Sequence, residues 1–392
     1  MEQRMKFVVE YQKGELTMAE ICRAFGITRK TGYKWLRRYE MQGMEGLREH
    51  SRAPLHHPNA IDEQLEEMII ELRGAHPTWG PVKLVDVLER RYPEIIWPAR
   101  STVALILKRN GLSKERKRKR TVPPYTQPFA GIEKANDTWC ADFKGWFRMR
   151  NGRKCYPLTI SDAHSRYLVC CQGLHEMTHK RTKPLFQAAF IEYGMPDTVR
   201  TDNGSPFAST ACAGLSRLSV WMLKLGIVPE RIELGHPEQN GRHERMHRTL
   251  KAEATRPPER NLRAQQRRFD TWRREYNHDR PHQALDNLRP AEVFGPARRQ
   301  YPLIEPEIQY PEDVTIRRVR TNGEIKWKGR KIYLSEVLVG EPVGLEQIDD
   351  RYWSVSFGPQ QLLWLDDHTC KFIEPKPKQD RLLTPPPCRG VV

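Results

Sequence analysis

The chain lacks any long apolar segment. None of its apolar runs reaches the roughly 18 residues that a membrane-spanning helix needs. The polar residues 1–6 are not followed by the apolar segment of a secretory signal. We therefore expect a soluble, intracellular protein with no membrane partner.

Cysteine pairs with the spacing of metal or redox sites are also absent. The sequence has eight cysteines, and none of them stands in a Cys-x-x-Cys motif. In a reducing compartment such residues are mostly small core side chains. His56 and His57 have no cysteine pair at a suitable distance, so we predict no structural zinc.

Acidic residues are scarce relative to basic ones. The chain has 66 lysines and arginines against 49 aspartates and glutamates, which gives a formal net charge of +17. A surplus of this size favours a polyanionic partner, and without a membrane segment we expect nucleic acid. The length of 392 residues exceeds one ordinary core and predicts two to four domains.

Three separated carboxylates have the pattern of a phosphodiester-cleaving metal site. Asp142 lies in a strand-like run, Asp202 precedes an Asn-Gly turn, and Glu244 follows the motif Pro-x-x-x-Gly-x-x at 237–243. Two Mg²⁺ ions about 3.5–4 Å apart can stabilise the attacking and leaving oxygens of such a reaction. Mg²⁺ prefers oxygen ligands and keeps several waters, so a few carboxylates suffice.

These motifs resemble those of the DDE transposases of bacterial insertion sequences, whose catalytic core is shared with retroviral integrases. The resemblance covers most of the chain. It implies that Asp142 bridges two Mg²⁺ ions while Asp202 holds one and Glu244 the other, with Mn²⁺ able to substitute and no zinc cofactor. It also implies an enzyme that binds the terminal repeats of its element, cleaves to expose a 3′-hydroxyl, and joins that hydroxyl to target DNA by transesterification.

The resemblance also implies partners and a location. We expect double-stranded DNA, as element ends and as target, and a homo-oligomer that holds two ends together on DNA. The expected location is the bacterial cytoplasm, at the nucleoid. Whether an accessory ATPase or targeting protein takes part stays open.

The third carboxylate has two candidates. The spacing usual in the family points to Glu238, whereas the local motif that opens a helix ends at Glu244. We prefer Glu244 and place the extra length in residues 226–236. Asp162 is an alternative to Asp142, and we interpret it as a turn and salt-bridge residue.

Other functions fit parts of the sequence. Residues His243 to His247 match His-Glu-x-x-His, the signature of zinc metalloproteases. The arginines at 242, 245 and 248 and the lack of a third ligand argue against a protease. A metal-dependent nuclease that cuts without joining, and a DNA-binding regulator with a vestigial core, remain as alternatives.

Residues 1–55 are predicted to form a helix-turn-helix DNA-binding domain. Thr17 and Glu20 form a capping box, Gly26 supplies the turn, and Thr28 can cap a longer helix. Tyr33, Trp35 and Leu36 are expected to pack inward. The outward side chains of this recognition helix are predicted to bind DNA: Arg29, Lys30 and Lys34.

Residues 60–113 are predicted to form a second helical DNA-binding domain, in which Ser101 caps the third helix. A basic and Pro-containing linker, 114–126, follows. Four of its cations are predicted to bind DNA phosphates without sequence preference. They are Lys117, Arg118, Lys119 and Arg120.

Residues 127–295 are predicted to form the ribonuclease-H-like catalytic core. Arg248 and Lys251 share a helix face with Glu244 and are predicted to bind DNA phosphate. Arg280 and His282 either contact DNA or the edge of the active site, or only fix a turn. Three tryptophans are expected in the core: Trp146, Trp221 and Trp272.

Residues 305–372 are predicted to form a small SH3-like β-barrel, with a hairpin at Asn322-Gly323. The Pro-rich tail, 375–392, is predicted to be disordered. The expected fold class is thus multidomain α+β. It has N-terminal helix-turn-helix modules, a central ribonuclease-H-like α/β integrase core and a C-terminal small β-barrel.

Overall fold

The computed structural model describes residues 2–49, 61–113, 131–232 and 241–374. The chain divides into two compact units, Met1–Asp62 and Glu63–Val392. Within the described ranges, no helix has both the length and the apolar character needed to cross a membrane.

The first unit is a helix-turn-helix, as predicted. Its helices are α1 (Glu2–Lys13), α2 (Met18–Ala24) and α3 (Arg29–Gln42). The Thr17 side chain accepts a hydrogen bond from the Glu20 backbone N–H, and the Glu20 carboxylate accepts one from the Thr17 backbone N–H. Gly26 has a φ of +63° in the turn. The Thr28 side chain accepts from the Thr31 backbone N–H at the start of α3.

Close packing of the three helices explains a glycine inside α3. A Cβ on Gly32 would lie 2.7 Å from Cys22 Sγ and 2.7 Å from the Phe7 ring. The expectation that Tyr33 packs inward is wrong, because 57% of its surface is exposed while Leu36 is buried. Tyr33 and Leu36 are separated by three residues, but the packing of α1 and α2 against Gly32 turns the Tyr33 side outward.

The second unit starts with three helices whose apolar residues interlock. They are α4 (Glu63–Ala75), α5 (Pro81–Arg91) and α6 (Arg100–Arg109). Ile69, Leu84 and Val103, one from each helix, are fully buried. Ser101 does not cap α6 as predicted, because that helix begins one residue earlier with Ala99 as its N-cap.

A mixed six-stranded sheet follows. Its strands are β1 (Thr138–Phe143), β2 (Phe147–Arg148), β3 (Lys154–Asp162), β4 (Leu168–Leu174), β5 (Thr198–Thr201) and β6 (Val228–Arg231). The strands β1, β2 and β4 each pair antiparallel with β3. The strand β5 pairs parallel with both β1 and β6. Parallel neighbours need a crossover, and helices supply it here.

Helices cover both faces of this sheet. They are α7 (His179–Tyr193), α8 (Arg217–Lys224), α9 (Gly241–Ala254), α10 (Leu262–His278) and α11 (Pro290–Val293). Phe190 of α7 and Trp221 of α8 pack with Trp139 on one face. Leu250 of α9 and Phe269 of α10 pack on the other face. This is the predicted ribonuclease-H-like core.

The C-terminal part contains two separate sheets, and the predicted closed barrel is not found among the described residues. The strands are β7 (Thr315–Arg318), β8 (Glu324–Trp327), β9 (Arg330–Tyr333), β10 (Pro342–Gln347), β11 (Tyr352–Phe357), β12 (Gln360–Asp366) and β13 (Lys371–Ile373). Five of them form an open sheet in the order β13-β12-β11-β10-β7, while β8 and β9 form a separate hairpin. One face of the five-stranded sheet packs on α8, through Val220 and Leu223.

The predicted hairpin turn is displaced along the chain. Asn322-Gly323 makes a turn, but the described strands on either side of it pair elsewhere, β7 with β10 and β8 with β9. The hairpin turn is Lys328-Gly329, in which both residues have positive φ. Two successive positive φ values are typical of the type I′ turn, which matches the twist of the strands that it joins.

One of the three predicted core tryptophans is at the surface. Trp221 and Trp272 are buried, whereas 52% of Trp146 is exposed. Trp146 lies just before the two-residue strand β2 at the edge of the sheet, and the Lys154 Nζ lies 4.3 Å from its ring centroid. A cation over an indole face contributes about 0.5–1 kcal/mol at an exposed site.

Candidate active site

Two of the three proposed carboxylates lie near the ends of neighbouring strands of the sheet. Asp142 lies in β1, and its Cα partner on β3 is Thr159. The parallel register of β1 with β5 ends at Ala141 opposite Thr201. The residues that follow Ala141 and Thr201 are both aspartates, Asp142 and Asp202. Adjacent strands are about 4.8 Å apart, so the fold brings these two residues to neighbouring positions.

Asp202 sits in a tight turn after β5. Its Oδ1 accepts a hydrogen bond of 3.2 Å from the Gly204 backbone N–H, and burial raises the pKa of its carboxyl above the usual value. The Asn203 amide donates to the Ile232 carbonyl at 2.7 Å, which fixes the turn to the end of β6. A half-buried carboxylate with so little hydrogen bonding is a good ligand for a cation.

Glu244 lies in the first turn of α9 and is exposed. Arg248 and Lys251 are exposed on the same flank, four and seven residues further along. The competing candidate, Glu238, lies outside the described residues. The choice between Glu244 and Glu238 therefore stays a prediction.

A buried pair of histidines joins α9 to β3 and to Asp142 of β1. His243 Nε2 and His247 Nε2 each lie 2.7 Å from Thr159 Oγ1. The Thr159 hydroxyl also donates to the Asp142 backbone carbonyl at 3.1 Å. A hydroxyl has one proton, so it accepts from both imidazoles, which then carry their protons on Nε2.

The same histidines contact the Asp142 side chain. His247 Nδ1 lies 3.7 Å from Asp142 Oδ2, and one ligand atom from each of Asp142, His243 and His247 lies within 4.8 Å of the others. Burial lowers the pKa of His243 to about 3 and lowers that of His247 further, so both rings are neutral. Neutral imidazoles and a carboxylate are ligands for Zn²⁺ and similar ions. The cluster is therefore able to hold a transition metal.

The His-Glu-x-x-His pattern at 243–247 was a sequence signal for this cluster, and the structure supplies Asp142 as the third ligand group that the sequence did not identify. His243 and His247 are four residues apart, and Leu250 and Ala254 continue the same stripe. Histidines on an otherwise apolar helix face are buried, and a buried imidazole needs a polar partner. The pattern did not identify Thr159 as that partner, because the contact spans more than eighty residues of chain.

Asp162 is a turn residue, as interpreted from sequence. Its carboxylate is buried and accepts hydrogen bonds from the Asn136 N–H at 2.7 Å and from the Ser165 N–H and hydroxyl at 2.7 and 2.6 Å. Among the described residues it forms no salt bridge, so that part of the interpretation was wrong. Three donors occupy this carboxylate and leave it unsuited to bind an ion.

Arg280 and His282 are largely buried beside α9. Arg280 Nη1 donates to Glu253 Oε1 at 2.7 Å, and both side chains are at most 15% exposed. Burial, with the nearby cations of Lys83, Arg280 and Arg166, lowers the pKa of His282 to about 3. The ion pair gives Arg280 a structural role.

Besides Arg248 and Lys251 of α9, the predicted DNA-binding cations fall into two groups. Arg29, Lys30 and Lys34 are exposed on α3, as a recognition helix requires. The linker cations Lys117 to Arg120 lie outside the described residues.

Comparison with protein families gives four matches. Two are described as "Integrase core domain" and cover residues 132–237 and 225–290. The other two are a "Helix-turn-helix domain" at residues 3–54 and a "Homeodomain-like domain" at residues 31–107. Residues 132–290 therefore match integrase-core families, and residues 3–107 match helix-turn-helix and homeodomain-like families.

Similar proteins come from insertion elements. The chain is 29% identical to the "Insertion element IS476 uncharacterized 39.2 kDa protein" of Xanthomonas euvesicatoria, over 62% of this chain and 68% of that protein. It is 28% identical to the "Insertion element IS407 uncharacterized 31.7 kDa protein" of Burkholderia multivorans, over 63% of this chain and 88% of that protein. Among solved structures, the HTLV-2 integrase catalytic core domain in complex with magnesium is similar to this chain. The alignment covers 41% of this chain and 97% of that domain's chain, with 15% sequence identity and a TM-score of 0.33.

Proposed function

We propose a specific reaction for this chain, because it resembles the DDE transposases of insertion sequences and has an integrase core. The protein binds the terminal repeats of its element and cleaves there to expose a 3′-hydroxyl. It then joins that hydroxyl to target DNA. The observation that carries the proposal is the position of Asp142 and Asp202 near neighbouring ends of the parallel strands β1 and β5. Glu244 lies on a helix that is bonded to Thr159 of β3 and contacts Asp142 of β1.

The donor set suits Mg²⁺. Asp142, Asp202 and Glu244 offer carboxylate oxygens, which are hard ligands, and the burial that raises the pKa of Asp202 favours a bound cation. In the proposed site Asp142, Asp202 and Glu244 would hold the ions. Two bound Mg²⁺ ions, or Mn²⁺ in their place, would supply positive charge to the attacking and leaving oxygens.

The protein residues position the DNA. Arg248 and Lys251 lie on the flank of α9 that bears Glu244 and would bind backbone phosphates next to the carboxylates. In cleavage, a water oxygen forms a bond to phosphorus as the bond to the 3′-oxygen breaks. In joining, the 3′-oxygen forms a bond to a target phosphorus as one target P–O bond breaks. Each step exchanges one P–O bond for another, so neither needs an energy-supplying co-reactant.

Assembly and recognition follow from the same reaction. Two element ends must be joined together, so we propose a homo-oligomer on DNA. The exposed cations of α3 would read the terminal repeats. An accessory ATPase or targeting protein would leave this chemistry unchanged, and joining by the purified protein alone would show that none is required.

A joining assay tests the proposal. A labelled duplex made from the repeats that flank the gene is incubated with a target plasmid and Mg²⁺ or Mn²⁺. Wild type is compared with Asp142→Asn, Glu238→Gln and Glu244→Gln. We expect joined product with wild type and Glu238→Gln, and none with the other two variants.

Other outcomes separate the alternatives. Cleavage without joining would indicate a nuclease. DNA binding with neither reaction in both metals would indicate a regulator. Loss of joining in Glu238→Gln and its retention in Glu244→Gln would move the third carboxylate to Glu238.

A further inference from the structure

A basic cavity lies beside α9; its lining includes Arg248, on the flank that also bears Glu244, and extends around the helix to Arg245 and Arg242. Its volume is about 460 Å³, and it is enclosed by α9, the turn between β3 and β4, the segment after α10, and α5. Six cations line it: Lys83, Arg166, Arg242, Arg245, Arg248 and Arg280. A helix turns by about 100° per residue, so Glu244 and the cavity-lining residues Arg242 and Arg245 point to different sides of α9.

Little negative charge balances these cations. Arg280 is paired with Glu253, and the Asp162 carboxylate in the cavity wall already accepts three hydrogen bonds. Within the part of the chain that the structure describes, Arg166, Arg245 and Arg248 form no ion pair with a carboxylate. Among the described residues, these three guanidinium groups in the cavity therefore have no carboxylate counter-ion.

The deepest of these guanidinium groups is incompletely bonded. Arg166 Nε is buried and has no hydrogen-bond partner. Burial, and then the neighbouring Arg245 charge, lowers the pKa of Arg166, although Tyr276 acts in the opposite direction. Arg242 Nη1 donates to the Ala163 carbonyl at 2.7 Å, which holds a second guanidinium beside the first. A buried donor without an acceptor is destabilising, so an anion that supplies oxygens would relieve it.

The planar shape of the guanidinium groups favours phosphate as the bound anion. Planar guanidiniums bind phosphate oxygens with two parallel hydrogen bonds, and arginine is the usual residue for such sites. Arg245 and Arg248 are exposed at the mouth, while Arg166 and Arg242 are half-buried further in. A phosphate can therefore enter past the exposed cations and reach the buried ones.

We propose that this cavity binds a backbone phosphate of the DNA on which the enzyme acts, with Arg166, Arg242 and Arg245 as its ligands. The assignment of DNA as the source of the phosphate rests on the proposed function. The cavity adds a contact on the second flank of α9. DNA that passes the Glu244 flank would thus be held on both sides of this helix.

The test compares phosphate and DNA binding by the full-length protein. The variants are Arg166→Gln and Arg245→Gln, with Arg274→Gln, an exposed residue of α10, as the matched control. Gln and Arg meet the same backbone strain at position 166, where φ is +63°, so the first variant is expected to fold. Circular dichroism checks this for each protein.

Inorganic phosphate is the first probe. We expect it to raise the melting temperature of wild type and of Arg274→Gln, and to raise that of the two cavity variants much less. Duplex DNA is the second probe, with affinity measured by fluorescence anisotropy at several salt concentrations. Each phosphate contact contributes about 0.9 to the slope of log affinity against log salt, so each cavity variant should lose roughly that amount.

The outcomes are distinct. An equal effect of phosphate on wild type and cavity variants would overturn the proposal. Loss of the phosphate effect with an unchanged salt slope would show a site for a free anion and overturn the assignment to DNA. These readouts need no catalysis, so failure of the joining reaction would leave them informative.

Discussion

Replacing Glu253 should destabilise the second unit by several kcal/mol. Glu253 lies near the end of α9, and its carboxylate joins three other segments. Oε1 accepts from Arg280 Nη1 at 2.7 Å and from the Thr78 hydroxyl, while Oε2 accepts from Trp272 Nε1 at 2.7 Å. The side chains of Glu253 and Arg280 are only 15% and 10% exposed.

The magnitude follows from what the change leaves behind. In Glu253→Ala the Arg280 guanidinium stays largely buried, near the Lys83 side chain, without its carboxylate. Breaking a buried ion pair from one side costs about 3–5 kcal/mol. The Trp272 N–H also loses its acceptor, but both losses come from one carboxylate and are not additive. We therefore expect the free energy of unfolding to fall by about 3–5 kcal/mol.

Urea unfolding, followed by tryptophan fluorescence and circular dichroism, measures the effect. Glu176→Gln is the control, since it breaks an ion pair with Arg181 in which both side chains are more than half exposed. Such surface pairs contribute about 0–1 kcal/mol. A double variant, Glu253→Ala with Arg280→Met, should be more stable than the single one because no charge remains stranded.

Two results would refute this reasoning. If Glu253→Ala were no more harmful than Glu176→Gln, water must solvate Arg280 in the folded protein. If the double variant lost the sum of the two single effects, the two side chains would not be coupled.

Three further predictions concern the metal, pH and the first unit. Zn²⁺ should inhibit DNA joining in excess Mg²⁺, because imidazole binds Zn²⁺ far better than Mg²⁺ and the bound ion would engage Asp142. His247→Gln should weaken this inhibition. Equal inhibition of wild type and His247→Gln would exclude the histidine cluster as the Zn²⁺ site. Burial lowers the pKa of Lys83 from 10.5 to about 7. Between these two pH values the unfolded chain binds a proton that the folded protein does not, so the free energy of unfolding rises with pH in this range. Wild type should gain unfolding free energy relative to Lys83→Met from pH 7 to 9 in urea titrations, and a constant difference would contradict the shift. Gly32→Ala should lower the melting temperature of the α1–α3 unit, because overpacking costs about 1–3 kcal/mol and exceeds the gain of about 1 kcal/mol in helix propensity; a higher melting temperature would show that Cys22 and its neighbours move aside.

Local patterns predicted the elements that form from neighbouring residues. The capping box at Thr17 and Glu20 predicted the start of α2, and Thr28 as a cap predicted the start of α3. Both signals come from residues within one or two helical turns of each other. The ribonuclease-H-like fold of the core was predicted from the family resemblance.

Long-range pairing decided what the sequence did not predict. The turn at Asn322-Gly323 was predicted correctly as a turn, but the partners of β7 and β8 are chosen by distant strands. Trp146 is an apolar residue in a strand-like run, yet β2 has only two residues and lies at the sheet edge. In neither case does the local sequence contain the information that decides exposure or pairing.

The orientation of α9 shows how residues outside the proposed site can determine its geometry. The helix is fixed in rotation by the side chains that it buries against the sheet, His243, His247 and Leu250. At about 100° per residue, that rotation leaves Glu244 on one flank and Arg245 on the other. Among the described residues Glu244 forms no ion pair, although Arg248 is four residues away in the favourable order. Such an exposed pair would contribute only about 0.3–0.5 kcal/mol, so a divalent cation or a phosphate competes for these two side chains at little cost. The buried histidines thus orient α9 so that its carboxylate and its arginines remain available to ligands.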